Sequence, residues 1–328
     1  MENILDLSRW RECPRGLLYR IWVIARNGLQ FELRTRLFRW LLAASWFWGV
    51  SIAVLCLLFN QSFTTDSWLQ NLGTHFGPRI GAALTASKAI VLLFPDVWIG
   101  GFFTLILRAH SVLALLFSLV ALTALVPRLI TRDRASNALT LYLSRPLTSM
   151  DYLLGKFGVI VGILGLLWSA PLVLGWILSM AFAPDRDFVA YSLPPLLRAL
   201  TFNAIALVSI SCLALGVSAC SRSSRNAVLL WVGLWMILGT VANSPKTPTL
   251  LRLSSFSYDL TEVRTGLFQT ESVLRAVADI PLLPSEVVEK LNQSAKRSDA
   301  PNFKNALCAL ALMCVVSSVA FFRKLRAE

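Results

Sequence analysis

The sequence predicts an all-α polytopic membrane protein with six transmembrane helices, preceded by an amphipathic helix at the membrane interface. The first observation is composition: of 328 residues, 56% are hydrophobic and only 15% are charged, whereas soluble domains average about 25% charged residues. Several apolar tracts also reach about 18 residues, the length that a helix needs to cross the hydrocarbon core of a bilayer. Finally, Lys and Arg collect beside alternate tracts, which is the charge bias of a multi-span protein.

The N-terminal segment, residues 1–37, leads into the first span through the stretch "PRGLLYRIWVIARNGLQFELRTRLFRW". The pattern predicts an amphipathic helix that begins just after Pro14 and lies in the membrane interface with its arginines toward lipid head groups. Its apolar face is formed by Leu18, Ile21, Trp22, Ala25 and Leu29, and its other side by Arg20, Asn27 and Arg34. An ordinary cytoplasmic helix that packs on a soluble partner stays open as the alternative.

Six spans follow from the apolar tracts. They are predicted at residues 38–59, 111–130, 157–183, 195–219, 227–242 and 305–322. The stretch 73–98 before the second span is predicted to be surface or re-entrant structure, because Lys88, Pro95 and Asp96 interrupt its apolar run. Arg108 and His110 then fall at the outer edge of the second span, and His110 is interpreted as an interfacial residue rather than a catalytic one.

The positive-inside rule sets the topology. Basic residues collect before the first span, between the second and third, between the fourth and fifth, and after the sixth. Both termini are therefore predicted to be cytoplasmic, in a bacterial cytoplasmic membrane. The domain organisation is then 1–37 for the cytoplasmic N-terminus, 38–242 for spans one to five with a cytoplasmic segment at 131–156, 243–304 for an external insertion, and 305–328 for the sixth span and a basic tail.

The third span begins with a line of glycines on one helix face. Gly155, Gly158, Gly162 and Gly165 are three, four and three residues apart, a spacing that lets another helix backbone approach closely. Pro171 removes one backbone hydrogen bond and should kink the helix. A hinge beside a transport path and static close packing are both compatible with this pattern; packing is the preferred interpretation for the glycines.

Several functional classes are excluded by what the chain lacks. His75 and His110 are its two histidines and stand far apart, and no cysteine pair has metal-ligand spacing; we predict no catalytic residue and no metal site. Charges are almost missing inside the spans, which argues against an ion-coupled carrier. No Walker sequence is present. The net charge of +13 is attributed to topology and anionic lipids rather than to nucleic acid.

One charged segment remains, "RDRASNALTLYLSRPLTSMDYLLGK" at residues 132–156. Ser136 or Asn137 can cap a helix, and Pro146 ends it. Thr148 and Asp151 then have the spacing of a capping box for the next helix. The pattern predicts two helices joined by a rigid corner.

This segment closely resembles the loop between the second and third spans of ATP-binding-cassette type-2 permeases. The resemblance rests on the charged start at residues 132–134, on Leu143-Ser144-Arg145-Pro146, and on Tyr152 followed by Gly155-Lys156. The six spans and the N-terminal amphipathic helix resemble the same family. Two residues depart from its pattern: Asn137 stands where members often have Gly, and Ser149 where many have Arg.

The resemblance implies a permease subunit without a nucleotide site, which pairs with a second permease chain, identical or sister, and docks on a separate ATPase that binds ATP and Mg. Residues 131–156 would contain the coupling helix, with contacts from Arg132, Asp133, Arg134, Asn137, Arg145, Pro146, Asp151 and Lys156. An exporter is expected, and the scarcity of polar side chains in the spans favours a lipid-like or amphipathic cargo. The alternative is a non-transporting subunit that passes ATPase motion to external partners through residues 243–304. The simplest competing interpretation is that the basic residues of this segment only fix the topology.

Overall fold

A computed structural model of the chain describes residues 16–61, 93–130, 148–181, 186–221, 223–242, 247–280, 283–297 and 300–326, together with His75, Gly77, Asp133, Ala183 and Ser244. The regular structure of these residues is entirely helical. The prediction of an all-α protein is therefore confirmed.

Twelve helices are formed by the described residues. In chain order they are α1 (Leu17–Leu33), α2 (Arg36–Asn60), α3 (Pro95–Leu129), α4 (Ser149–Leu167), α5 (Ser169–Ala181), α6 (Arg186–Cys220), α7 (Ser224–Ala242), α8 (Thr249–Arg252), α9 (Phe256–Phe268), α10 (Thr270–Ala278), α11 (Ser285–Arg297) and α12 (Phe303–Arg326).

Six of these segments are long and apolar enough to cross a membrane, which confirms the predicted number. They are α2, α3, α6, α7, α12 and the continuous segment Met150–Ala181, in which α4 and α5 meet at Trp168. Helices α3 and α6 have 35 residues each, and 35 residues extend about 52 Å. Since the hydrocarbon core is about 30 Å thick, both helices project well beyond it.

The helix that contains the predicted second span begins well before residue 111, at Pro95. Pro95 occupies the first turn of α3, and Asp96 follows it there. A proline in this position lacks only an N–H that has no partner inside the helix anyway, and an acidic side chain is favourable beside the positive end of the helix dipole. Pro95 and Asp96 thus start a helix that continues without a break into the predicted second span. Lys88 lies outside the described residues.

His110, which the sequence places at the outer edge of the second span, is buried within the bundle. Its side chain is only 2% exposed, and its Nε2 lies 3.0 Å from the carbonyl oxygen of Trp168, to which it donates a hydrogen bond. The apolar tract around His110 gave no indication of which helices would cover it. Neighbouring helices of the bundle, rather than lipid head groups, surround this side chain.

The helices pack as a bundle, and some spans have their largest contacts with helices that do not follow them directly in the chain. Helix α1 lies along α4, α2 packs against α5, α3 contacts α6 and α7, and α6 contacts α12. At the α6–α12 contact, a Cβ on Gly216 would lie 2.8 Å from the Cβ of Ser317. Small residues at such crossings let helix backbones approach closely.

Residues 243–304, predicted as an external insertion, fold back on the bundle where they are described. Helix α9 packs against α6, α7 and α12, and α10 packs against α3 near Gly101. Phe256 of α9 contacts Trp235 of α7, with ring centroids 5.6 Å apart. The insertion thus covers the end of the bundle opposite to α1, and we call the two ends the insertion end and the α1 end.

Candidate functional site at the junction of α1, α3 and α4

The predicted coupling residues that the structure describes lie at the α1 end, where α3 ends and α4 begins. Five of them, Arg132, Arg134, Asn137, Arg145 and Pro146, lie outside the described residues, as does the helix predicted before Pro146. The other three, Asp133, Asp151 and Lys156, are described, and each of them has a charged partner.

Asp133 connects the charged segment to the first two turns of α4. Its carboxylate accepts a hydrogen bond from the hydroxyl of Tyr152 at 2.8 Å and forms an ion pair with Nζ of Lys156 at 2.6 Å. Tyr152 and Lys156 are four residues apart and therefore share one helix face; the Lys156 ammonium lies 5.4 Å from the centre of the Tyr152 ring. Because Tyr152 is buried, Asp133 is held against a fixed surface of α4.

Asp151 begins α4 and also contacts α1. The amide of Asp151 donates to the Thr148 hydroxyl, and the amide of Thr148 donates to the Asp151 carboxylate, both at 3.2 Å. This pair confirms the predicted capping box. The same carboxylate lies 3.3 Å from Nη1 of Arg20, and the Asp151 side chain is 0% exposed. One buried carboxylate therefore caps α4 and binds α1.

A second ion pair joins α1 to the end of α3. Glu32, which is buried near the C-terminus of α1, lies 3.3 Å from Nη1 of Arg128 in the last turn of α3. Helix α1 thus contacts α4 through Arg20 and α3 through Glu32. These two helices lead into and out of the charged segment, so α1 connects both of its flanks.

The glycines of α4 make room for α1. A Cβ on Gly155 would lie 2.6 Å from the side chain of Ile24, and one on Gly158 would lie 2.9 Å from the Cβ of Ala25. Gly162 faces Leu29 at 3.5 Å. Nothing lies within 4 Å of a Cβ on Gly165, so the close approach ends before that residue. The neighbour of the first three glycines is α1.

The apolar side chains of α1 divide between this contact and the outside. Ile24, Ala25 and Leu29 face α4, whereas Leu18 and Trp22 are exposed. Exposed apolar side chains on a helix that abuts a span are typical of a helix in the membrane interface. Arg20, which the sequence assigned to the head-group side, instead pairs with Asp151.

Pro171 lies three residues after the break at Trp168, near the start of α5. Proline has no N–H, so the carbonyl of Leu167, four residues earlier, loses its helical partner. The hydroxyl of Ser45 on α2 donates to this carbonyl, and Nε1 of Trp46 donates to that of Leu166 at 3.2 Å. With His110 bonded to the Trp168 carbonyl, side chains from α2 and α3 satisfy three consecutive carbonyls at the break.

Glycines bring α2 close to this break. A Cβ on Gly49 would lie 2.7 Å from the carbonyl oxygen of Pro171, and one on Gly175 would lie 2.7 Å from the carbonyl oxygen of Gly49. Backbone atoms cannot move away as the end of a side chain can. The contact therefore holds the kinked third span against the first, which favours static packing at Pro171 in this conformation.

Sequence reasoning missed the partners of these residues. Glu32 is the one acidic residue of α1, and Asp151 is the one acidic residue of α4. A lone carboxylate in an apolar helix usually needs a cationic partner, and this signal could have suggested Arg128 and Arg20. The donors Ser45 and His110 gave no comparable signal.

Six apolar helices and a charged junction at one end define a multi-span helical membrane protein. The profile of the family described as ABC-2 family transporter protein matches residues 32–328. The chain belongs to this family and is thus a membrane permease subunit of an ABC transporter. The match begins near the end of α1, so most of that helix precedes it. No curated protein matches the chain significantly.

Proposed function

We propose that the chain is the permease subunit of an ATP-driven exporter and that residues 131–156 transmit the motion of a separate ATPase subunit to the spans. The observation that carries this proposal is the attachment of Asp133 to α4 through Tyr152 and Lys156. A segment that only fixed topology would need positive charge, but it would not need a buried tyrosine and a lysine that hold Asp133.

The contacts at the α1 end support transmission through a unit rather than through a single helix. Displacement of Asp133 acts directly on α4, while the pairs Arg20–Asp151 and Glu32–Arg128 make α1 and α3 follow. The contact of Gly49 with Gly175 connects the third span to the first. Packed elements with few alternative arrangements transmit displacement because they do not deform continuously.

Orientation and partners are part of the proposal. The basic α1 end is placed in the cytoplasm of a bacterial cell, with both termini on that side, because Lys and Arg are enriched in cytoplasmic loops. The permease pairs with a second permease chain, either a copy or a sister subunit. ATP and Mg bind the ATPase subunit.

One observation favours the alternative, a subunit that moves external partners instead of a cargo. Helix α11 packs against α10 and has an exposed Val287 on its surface. Beside it is a cleft of about 590 Å³, lined by residues that include Leu283, Val288 and Asn292. An amphipathic helix at the edge of the fold is a suitable handle for another protein.

Substitution in the charged segment tests the exporter proposal. In a complex of permease and ATPase, Arg145→Ala or Pro146→Ala should return ATPase activity to the rate of the isolated ATPase, while membrane insertion is retained. Arg225→Ala is the matched control, because Arg225 is an exposed arginine in the first turn of α7. If ATPase activity depends on the permease in both test variants as it does in the wild type, the coupling role is contradicted.

Deletion of residues 283–297 separates the two functions. The exporter predicts that export is reduced only in part. The alternative predicts loss of partner binding, measured by co-purification, with ATPase activity unchanged.

A further inference from the structure

An open groove lies along the exposed side of α12, near the C-terminus of that helix. It has a volume of about 420 Å³ and is lined by α12 residues between Val315 and Lys324 and by Cys220, the last residue of α6. We call it the α12 groove. On another side of α12, Ser317 meets Gly216 of α6 in a close helix contact. Because this contact fixes α12 against α6, the groove belongs to the packed fold.

Apolar and cationic side chains occupy different parts of the α12 groove. Val315 and Val316 are each 59% exposed, and Val319 is 45% exposed. The cations follow one turn later, at Arg323 and Lys324, and both are exposed. From the first of these valines to the lysine, α12 advances about 14 Å. The groove is therefore apolar along most of its length and cationic at its end.

The cationic end of the groove has no counter-charge within the described part of the chain. No acidic side chain described in the structure lines the groove, and neither Arg323 nor Lys324 forms an ion pair with another described residue. Hydrogen bonds from guanidinium and ammonium groups to phosphate oxygens are roughly twice as strong as neutral ones. Two adjacent cations beside an apolar groove are thus complementary to an anion that carries a hydrocarbon chain. A tail that only fixed topology would need the charges but not the groove that leads to them.

Contacts near the end of α6 place the groove at the α1 end of the bundle. The Ser218 hydroxyl donates to the carbonyl of Val126 at 2.8 Å and accepts from the amide of Ile130 at 3.2 Å. Val126 and Ile130 are at the end of α3, where this helix pairs with α1. Cys220 follows Ser218 by two residues, so the cationic end of the groove is near the α1 end.

The length of α12 gives the depth of these cations in a membrane. The apolar span within α12 runs from Phe303 to Lys324 and has 22 residues, which extend about 33 Å. This length is close to the thickness of the hydrocarbon core, about 30 Å. When Phe303 is at one membrane boundary, Arg323 and Lys324 are at the other, at the depth of lipid phosphates. The valines of the groove are then at the depth of the acyl chains.

A second copy of the chain fits the α12 groove poorly. In a two-fold dimer whose axis is perpendicular to the membrane, a face of one copy meets the same face of the other. The cations of one groove would then approach the cations of its equivalent, and like charges brought together across an interface disfavour pairing. Anionic lipid has no such conflict, since basic pockets beside membrane spans attract its head group.

From these observations we propose that the α12 groove binds one anionic phospholipid, with its phosphate on Arg323 and Lys324 and one acyl chain along Val315, Val316 and Val319. Binding of this kind requires neither an ATPase nor transport, so it goes beyond the function proposed above.

The test measures binding to the purified, delipidated full chain in a neutral detergent, by native mass spectrometry that resolves each bound lipid. The probes are phosphatidylglycerol, phosphatidylcholine and inorganic phosphate. A basic residue near a membrane surface contributes about fivefold to the affinity for anionic lipid. The double variant Arg323→Gln/Lys324→Gln should therefore bind phosphatidylglycerol about 25-fold more weakly. Arg225→Gln is the control, because Arg225 is exposed in the first turn of α7 and does not line the groove.

A second variant tests the apolar part of the groove. Val319→Trp fills the groove while both cations remain, and it should abolish the preference for phosphatidylglycerol. Leu312→Trp is its control, because Leu312 is on the same helix and 65% exposed but lies outside the groove.

Preference of the wild type for phosphatidylglycerol, lost in both test variants and retained in both controls, supports the lipid site. Equal binding of phosphatidylcholine, or unchanged affinity for phosphatidylglycerol in either test variant, overturns it. Binding of inorganic phosphate that Val319→Trp leaves unchanged, without a preference for phosphatidylglycerol, assigns the cations to a free anion and also overturns the lipid site. If Val319→Trp converts a dimer to a monomer and leaves lipid binding unchanged, a second copy occupies the groove instead. If the double variant fails to fold, Arg323→Gln alone should bind phosphatidylglycerol more weakly, and unchanged affinity in this variant overturns the site. Co-purification with an ATPase is independent of all these results.

Discussion

Asp151 offers the sharpest test of the junction, because it caps α4 and pairs with Arg20 through one buried carboxylate. Three substitutions separate these roles. Thr148→Ala removes the cap and leaves the ion pair. Asp151→Asn retains an oxygen that can accept from the Thr148 amide but removes the charge opposite Arg20. Asp151→Ala removes both contacts of the carboxylate, with the Thr148 amide and with Arg20, while its own amide can still donate to the Thr148 hydroxyl.

The expected costs follow from the geometry. Loss of the Thr148 cap should cost about 1 kcal/mol. Loss of a charged hydrogen bond costs about 1.5–3 kcal/mol. Here the lower end applies, because Arg20 is 29% exposed and Oδ1 of Asp151 is buried without a partner among the described residues. We therefore expect about 1.5 kcal/mol for Asp151→Asn and roughly 2.5 kcal/mol for Asp151→Ala.

Reversible unfolding by titration with sodium dodecyl sulfate from mixed micelles, followed by tryptophan fluorescence, measures these differences. A double-mutant cycle of Asp151→Asn with Arg20→Gln should give a coupling energy of about 1 kcal/mol. Strict additivity of the two substitutions would refute the claim that this ion pair holds α1 on α4.

Two further predictions concern the packing of the third span and the charge of the insertion. Gly175→Ala should destabilise the fold by about 1–3 kcal/mol, because its Cβ meets a backbone oxygen of α2; Gly165→Ala, where a Cβ meets nothing within 4 Å, should be neutral or stabilise by about 0.5–1 kcal/mol. Equal effects in the unfolding titration would contradict the close contact. Burial, and second the charge of Glu262, raise the pKa of Asp259 to about 8, so the stability of the folded state should fall as pH rises from about 4 to about 8. Asp259→Asn should flatten this dependence and raise the unfolding temperature at pH 8 but not at pH 4; a parallel pH profile would show that Asp259 ionises normally.

Much of the fold was predictable because the bilayer imposes a simple rule on the sequence. A span must satisfy its backbone groups internally and present apolar side chains over a fixed length, so hydropathy predicts the six crossings. The capping box of Thr148 and Asp151 was predictable because it depends on a spacing of three residues.

Contacts between distant helices were not predictable in the same way. Arg20, Asp151 and His110 acquire their partners from other elements, and a single sequence does not show which helix faces them. The start of α3 was missed for a local reason: a proline that would break a helix interior is favourable in its first turn. Hydropathy does not distinguish a proline in the first turn of a helix from a proline in its interior.

Purification of the tagged chain from its native membranes in mild detergent tests the central claim most directly. The account predicts that an ATP-binding-cassette ATPase subunit co-purifies in a fixed ratio and that replacing residues 134–147 by a scrambled sequence removes it while the permease stays folded. If no ATPase is recovered with the wild-type chain, or if the scrambled variant retains it fully, residues 131–156 are not the coupling element and the proposed mechanism is contradicted.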